Sequence, residues 1–433
     1  MLFWRMPHEA LLVAANAALD ALGAPSSDVR RYFVPGRLEV LGKHTDYAGG
    51  RSLLCAVERG ICFAFAPRAD ARLRIVDAGR GREAEFTIAP DLAGASGHWS
   101  NYPMTVARRL ARNFSGNLTG ADIAFASNLP SAAGMSSSSA LVVGFFAALA
   151  DVNVLERRRE YTENIVQLED LAGYLGTVEN GRSFGSLEGD SGVGTAGGSE
   201  DHAAILCCRA DQLSQYAFCP IRHERSVRLP GGWVFAIGVS GVVSDKSAKT
   251  RDAYNRAART VAVMLQAWRA ATGRTDQYLA DAVASSRDAP DRMREILRDA
   301  AAAPFPPRML LDRLEQFLAE STEIIPEVGD CLARGDVEGI GLPVDRSQRM
   351  AERLLGNQVP ETIALVRSAR ALGAAAASAF GAGFGGAVWA LVERQRADDF
   401  LGRWADAYRS AFPARAPHAE FFLTKPGPAL RRL

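Results

Sequence analysis

Pro35-Gly36-Arg37-Leu38-Glu39-Val40-Leu41-Gly42-Lys43-His44-Thr45-Asp46-Tyr47 sets Arg, Lys, His and Asp directly after an apolar, strand-like start. That density of charge at the end of a strand suggests a polar ligand. Two glycine-rich segments lie far downstream, Leu129-Pro130-Ser131-Ala132-Ala133-Gly134-Met135-Ser136-Ser137-Ser138-Ser139 and Gly381-Ala382-Gly383-Phe384-Gly385-Gly386.

In the first of these, Gly134 and the small residues before it let backbone N–H groups approach an anion closely. Four serines then open a helix whose amino end carries positive partial charge. This predicts a phosphate site. The spacing is not that of a Walker A loop, and no lysine is built in to neutralise phosphate.

The chain has 433 residues, which is long for one core and predicts two domains, 1–220 and 221–433, with the change placed near 215–231. Fifty basic residues against 49 acidic ones leave a net charge of +1, so no excess field draws nucleic acid or membrane phosphate. The six cysteines show no C-x-x-C spacing and no pairing with histidines, which argues against a zinc site and for reduced core thiols. No apolar run approaches membrane-spanning length and the first residues lack a signal-peptide pattern, so a cytoplasmic location is expected.

Hydrophobic spacing predicts a helix over 9–22 and strands over 61–66, 73–76, 84–88 and 123–126, with a buried helix over 139–149. Glycine and serine dominate 181–198, predicting a mobile loop. A buried strand is expected at 233–239 and a long helix at 252–271. Helix continues through 309–332 with a break at Pro326. Beyond it come a helix at 361–372, a strand at 387–392, a helix at 398–412 and a last strand at 420–423.

The three motifs in this order resemble those of the GHMP small-molecule kinases, and the first is similar to the galactokinase branch. The family pattern Pro-x-x-x-Gly-Leu-Ser-Ser-Ser-Ala matches 130–139 closely. The resemblance implies a two-domain α/β (α+β) chain with an N-terminal ribosomal-protein-like domain containing a left-handed βαβ crossover and a C-terminal ferredoxin-like domain. It implies ATP and Mg²⁺, with Ala132, Gly134, Met135, Ser136 and Ser137 on the nucleotide and Ser138 beside the metal. Glu179 is the best match for the second metal ligand. His98-Trp99-Ser100-Asn101-Tyr102 resembles the galactokinase segment near adenine, which would put Trp99 on the nucleotide. A helix start with aromatic anchors is the other reading.

Gly194-Thr195-Ala196-Gly197-Gly198-Ser199-Glu200-Asp201-His202 resembles the family's Gly-x-x-Asp-Gln segment and its N-acetylgalactosamine kinase variant. By that match Asp201 accepts the proton of the attacking hydroxyl, Gly198 lends backbone contacts and Arg37 touches both Asp201 and the moving phosphoryl group. His44, Asp46 and Tyr254 would contact the sugar. The third glycine segment would let backbone pack hard against the phosphate loop, with or without ligand contact.

One residue departs from the pattern. Galactokinases carry glutamate where this chain has Lys43, and lysine has three donors and no acceptor. Lys43 either meets an acidic group on the sugar, such as a uronic acid carboxylate, or pairs with Glu39, Asp46 or another protein carboxylate. The resemblance therefore implies an ATP-dependent sugar 1-kinase for galactose or a modified sugar, with monomer or weak homodimer as the expected state. Uronic acid, N-acetylhexosamine, arabinose or heptose acceptors and a non-catalytic ATP- and sugar-binding regulator are the alternatives.

Overall fold

The computed structural model describes residues 7–24, 28–94, 97–130, 133–242, 248–299 and 304–433, with 248–251 described by backbone alone. Two sheets organise it. The first contains β1 (Arg30–Leu41), β2 (Arg51–Pro67), β3 (Arg72–Asp77), β4 (Arg82–Thr87), β5 (Ala121–Ser127), β6 (Gln212–Ala217) and β7 (Arg222–Arg228). The second contains β8 (Trp233–Val239), β9 (Ala376–Phe380), β10 (Ala387–Glu393) and β11 (Glu420–Thr424), and β12 (Arg431–Arg432) returns to pair with β1.

In the first sheet the order is β12-β1-β2-β5-β3-β4, with β6 and β7 added beside the early half of β2. β2 is long enough to serve two partners, pairing Arg51–Leu54 with β6 and Ile61–Pro67 with β5. Pairing is antiparallel except between β3 and β5, whose connection runs through β4 and the helix Asn101–Asn113. Ser137–Asn153 packs its apolar surface under this sheet, where the Phe145 ring meets Phe63 and Phe125 edge-on. That helix is buried because it is apolar on most sides, as its sequence predicts.

The second sheet is antiparallel with order β11-β8-β10-β9. Numbered within the sheet this is 4-1-3-2, the ferredoxin-like order. Ala397–Ala411 covers it, burying Trp404 and Tyr408 against Val234, Val388 and Ala390. A third cluster, around Trp268, Met264 and Phe317, is all-helical.

Two expectations change. The helix through 309–332 is Pro307–Leu318, then a π-helical stretch Ala319–Ile324, then Ile325–Ala333. Pro326 has no N–H to donate, and the chain absorbs this upstream as a widened turn rather than a break. That turn aims Glu320 Oε1 at the Gly42 N–H, 2.9 Å away, and Ser321 Oγ at the Arg51 N–H, 3.0 Å away.

The glycine-rich segment 181–198 is likewise pinned rather than loose. Arg108 Nε donates to Asp190 Oδ2 at 2.6 Å, and the Asp190 side chain is only 1% exposed. Asn113 Nδ2 holds the Glu188 carbonyl and Asn180 Nδ2 the Gly197 carbonyl. Among the described residues, no helix is long and apolar enough to cross a membrane.

Candidate active site

β1 carries the first half of the site. Its register against β2 shifts between Pro35 and Arg37 and again between Glu39 and Leu41. Such bulges re-aim side chains, and here they bracket Arg37 and Glu39, both of which line one cavity. The strand ends in a turn that needs glycine. At Gly42, with φ +128°, a Cβ would stand 2.3 Å from Ser52 Oγ. His44 follows in the left-handed region at φ 58°.

Arg37 is the hub. Its Nε donates to Asp201 Oδ1 at 2.6 Å, a second nitrogen donates to the Gly134 carbonyl at 2.5 Å, and the third lies 3.4 Å from Glu200 Oε1. Burial favours the neutral guanidine, but the Asp201, Glu200 and Glu39 carboxylates outweigh it and raise the Arg37 pKa. Burial likewise pushes Asp201 upward, and here Arg37 prevails, holding its carboxyl below the ordinary range. Asp201 lies in the first turn of Glu200–Cys207, where the helix amino end also favours the anion.

Asp201 Oδ2 faces Ser139 Oγ at 3.2 Å, and the same hydroxyl faces Glu179 Oε2 at 2.8 Å. A serine has one proton to donate, so it serves one of the two carboxylates at a time. Hard oxygens of like charge converging on one point suit a divalent cation such as Mg²⁺. Ser138 lines the same cavity. His202 Nε2 lies 3.3 Å from Glu179 Oε2.

The phosphate loop has an anion's geometry. Ser136 adopts φ 59° at the N-cap position of Ser137–Asn153, and its buried Oγ lies beside Asp201, whose carboxyl it helps hold down. The first N–H groups of that helix have no intrahelical acceptor. Met135 accepts the Arg37 N–H on its carbonyl and buries its side chain. A Cβ on Gly381 would stand 3.1 Å from Gly134, so the third glycine segment packs directly on the loop. Ala132 lies outside the described residues, as do 243–246.

The sugar-signature residues divide. Asp46, His44, Gly198 and Tyr254 line the cavity with Arg37 and Asp201. Asp46 accepts the N–H groups of Tyr47 (2.8 Å) and Glu200 (3.1 Å), and burial raises its pKa. Any side chain at Gly198 would run into it, since a Cβ would come within 2.1 Å of Asp46 Oδ2. His44 Nδ1 meets Tyr47 Oη at 3.0 Å and Nε2 meets the Ala382 carbonyl at 3.2 Å. Burial, then the Arg313 charge, lowers the His44 pKa to about 4.

Lys43 departs from the first expectation and follows the second only in part, lying near the Glu39 carboxylate without pairing with it. It is 1% exposed and does not line the cavity. Its ammonium donates to Ser378 Oγ at 2.8 Å and Ser347 Oγ at 3.2 Å, hydroxyls rather than carboxylates. The reason is the turn at Gly42, which sends the next side chain toward the second sheet. Trp99 is also away from the cavity, in the main core beside Phe125 with Arg82 over its ring, so the helix-anchor reading describes its surroundings.

Among the cavity residues given no role by the motif reading are Glu39, Ser139 and Glu200. Glu39 was signalled by strand alternation from Arg37. Ser139 stands where the family pattern has alanine. Burial, then Glu39 and Asp46, raises the Glu200 pKa well above the usual carboxyl range.

Comparison with known proteins points to one family. The galactokinase galactose-binding signature matches residues 21–67, the GHMP kinases N-terminal domain 101–183 and the GHMP kinases C-terminal domain 330–410. A galactokinase of Roseiflexus sp. is 27% identical over 388 residues, 87% of each chain. One of Streptomyces coelicolor is 28% identical over 404 residues, 92% of this chain and 93% of that one. In fold, Lactococcus lactis galactokinase complexed with galactose superposes with a TM-score of 0.80 at 20% identity, covering 98% of this chain and 100% of that one. Mevalonate kinase of Methanococcus jannaschii gives 0.53 at 12% identity, covering 93% and 99%. With all three signatures matched in order and galactokinases similar over most of its length, the chain belongs to the GHMP kinase superfamily, in its galactokinase-like group.

Proposed function

We propose that this protein is an ATP-dependent sugar kinase that phosphorylates the anomeric hydroxyl of galactose or a related sugar. One observation carries this reading: Arg37 joins Asp201, at 2.6 Å, to the Gly134 carbonyl of the phosphate loop, at 2.5 Å. A single guanidinium thus ties the proton acceptor to the nucleotide cradle, in the cavity that also holds His44, Asp46 and Tyr254.

In this reading the sugar lies against His44, Asp46, Gly198 and Tyr254, with its O1 facing Asp201. Gly134, Met135 and Ser136 to Ser138 hold the phosphates of ATP through backbone N–H groups and the Ser136 hydroxyl. As the O1–P bond forms and the bond to the β-phosphate oxygen breaks, the O1 proton passes to Asp201 and ADP leaves. A carboxylate kept ionised by Arg37 is a weak base. That suffices because a loose phosphoryl-transfer transition state needs the proton removed only late. Arg37 balances charge on the moving group. Ser138 and Glu179 would hold Mg²⁺, with the Ser139 hydroxyl orienting Glu179, and the ion when bound would neutralise phosphate charge.

Lys43 gives no support to a uronic acid at the position of the family glutamate, because its ammonium is occupied by Ser347 and Ser378. The two-lobe division belongs to this reading, with the cut moved from 220/221 to between Arg228 and Trp233, because β7 still pairs with β6 in the first sheet. So do a cytoplasmic location, a monomer or weak homodimer, and the absence of nucleic acid or membrane partners. The test is phosphorus NMR of Mg-ATP incubated with hexoses, N-acetylhexosamines, pentoses and uronic acids. A sugar 1-phosphate resonance for at least one acceptor is expected. ATP unconsumed across the panel would favour a non-catalytic regulator and end the proposal.

A further inference from the structure

A second cavity of about 470 Å³ lies behind His44, which belongs to the walls of both. That volume is within the range of small-molecule sites. One wall is a single face of the helix Ala248–Thr272, where Ala253, Arg256, Ala257 and Thr260 recur at helical spacing. The opposite wall is the start of Pro307–Leu318, with Arg308, Asp312 and Arg313.

Arg313 is the informative residue. It is 2% exposed, and the described residues place no carboxylate within ion-pair distance of it. Its hydrogen-bond partners are all neutral oxygens, Gln316 Oε1, the His44 carbonyl and Tyr47 Oη, and the Tyr47 ring centre lies 5.9 Å from the guanidinium carbon. Its Nε is buried with no partner. The other buried arginines differ. Arg37 has Asp201 at 2.6 Å, Arg108 has Asp190 at 2.6 Å and Arg109 has Asp190 at 3.8 Å. A buried cation without a counter-charge is costly, and an anion from outside the chain would remove that cost.

The two cavities have opposite character. The first brings Glu39, Asp46, Glu179, Glu200 and Asp201 around Arg37. In the second, Arg256, Arg308 and Arg313 outnumber Asp312, which lies 3.8 Å from Arg308. An acceptor sugar whose ring occupied the acidic side would meet guanidinium groups only with a substituent reaching past His44.

We infer that the cavity behind His44 is an oxyanion subsite, held by Arg313 and Arg256, for a carboxylate or phosphate group carried on the acceptor sugar. The assignment of the sugar ring rests on the kinase reading above, whereas the anion site rests on Arg313 and its surroundings.

Calorimetric titration tests it on the intact protein with four probes: galactose, galacturonate, galactose 6-phosphate and inorganic phosphate. Arg313→Gln and Arg256→Ala are the variants, the second being an exposed helix position that leaves the fold intact. At least one anionic sugar should bind tenfold or more tightly than galactose, with that preference reduced at least fivefold in either variant. Inorganic phosphate binding that is lost in the variants, without any preference among the sugars, keeps the oxyanion site and overturns its sugar-borne source. Anion binding indifferent to both substitutions overturns the site itself. If no sugar in the NMR panel is phosphorylated while anion binding still responds to Arg256→Ala, the kinase reading fails and the subsite stands.

Discussion

Lys43 Nζ donates to Ser378 Oγ at 2.8 Å, joining the end of β1 to β9 across the junction of the two sheets. The ammonium also lies near Glu39, whose carboxyl it pulls downward against the larger, upward effect of burial. Lys43→Glu would place a buried carboxylate near Glu39 with only hydroxyls to meet it. A loss of about 3–5 kcal/mol is expected, roughly 3–6 °C in Tm for a chain of this length. Lys43→Met, which removes the charge and keeps the length, should lose less and retain the sugar profile. A changed sugar preference in a stably folded Lys43→Met would return this residue to substrate recognition.

The direction of Lys43 was not legible in the sequence. It is set by backbone torsions at Gly42 and His44, φ +128° and 58°, that residue identity permits but does not dictate. Strands such as Trp233–Val239 and helices such as Pro360–Ala371 were legible because apolar spacing and a proline start mark them. β6 and β7, with sequences QLSQYA and RHERSVR, were not. They lie at the side of the first sheet, where β7 is largely solvated and polar residues suffice. In the site, Arg37, His44, Asp46, Glu179 and Asp201 were found from motif order and do line one cavity. Glu39 follows Arg37 by strand alternation, whereas Ser139 and Glu200 reach the cavity only through tertiary packing. The pinning of 181–198 was hidden because Asp190 and Arg108 are far apart in sequence.

Asp201→Asn keeps the size of the side chain and its place against Arg37 but removes the proton acceptor. We expect kcat to fall by 10²–10⁴-fold, the usual worth of a positioned base, with little change in KM for ATP. Steady-state kinetics with the acceptor found by NMR provides the check. Activity within a few-fold of wild type would remove Asp201 from the role.

Ser139 touches both Glu179 and Asp201, and its replacement by alanine restores the family pattern at that position. If the hydroxyl orients Glu179 toward Mg²⁺, Ser139→Ala should raise the half-saturating Mg²⁺ concentration about tenfold, as loss of a supporting contact at a metal does. Ser138→Ala should act at least as strongly. Electron paramagnetic resonance of bound Mn²⁺ gives a readout independent of turnover, and a Mn²⁺ affinity untouched by both substitutions would move the cation elsewhere.

Asp190 neutralises two buried arginines, Arg108 and Arg109, while anchoring the glycine-rich segment. Asp190→Asn leaves those guanidinium groups without a counter-charge, at a cost of about 3–5 kcal/mol. The segment between Arg182 and Gly197 should then become the first site of limited proteolysis, because its glycines resist disorder only while pinned. Cleavage elsewhere with this segment intact would show that Asp190 stabilises the core without holding the loop.

His44 gives a pH dependence whose sign can be worked through. Its pKa, about 6.5 in the unfolded chain, is lowered to about 4 in the fold by burial and by Arg313. Between those values the unfolded state binds more protons, so stability rises with pH across that window and is lost as pH falls through it. From pH 7 to pH 5 the loss from this one group is about 2 kcal/mol. Denaturant unfolding of wild type and His44→Gln at both pH values isolates it, since carboxyl titrations are common to the two proteins and cancel in the difference. Wild type should lose about 2 kcal/mol more than the variant on acidification. Equal losses would mean that the imidazole gains a proton in the folded state, and that the wall between the two cavities is charged at mildly acidic pH.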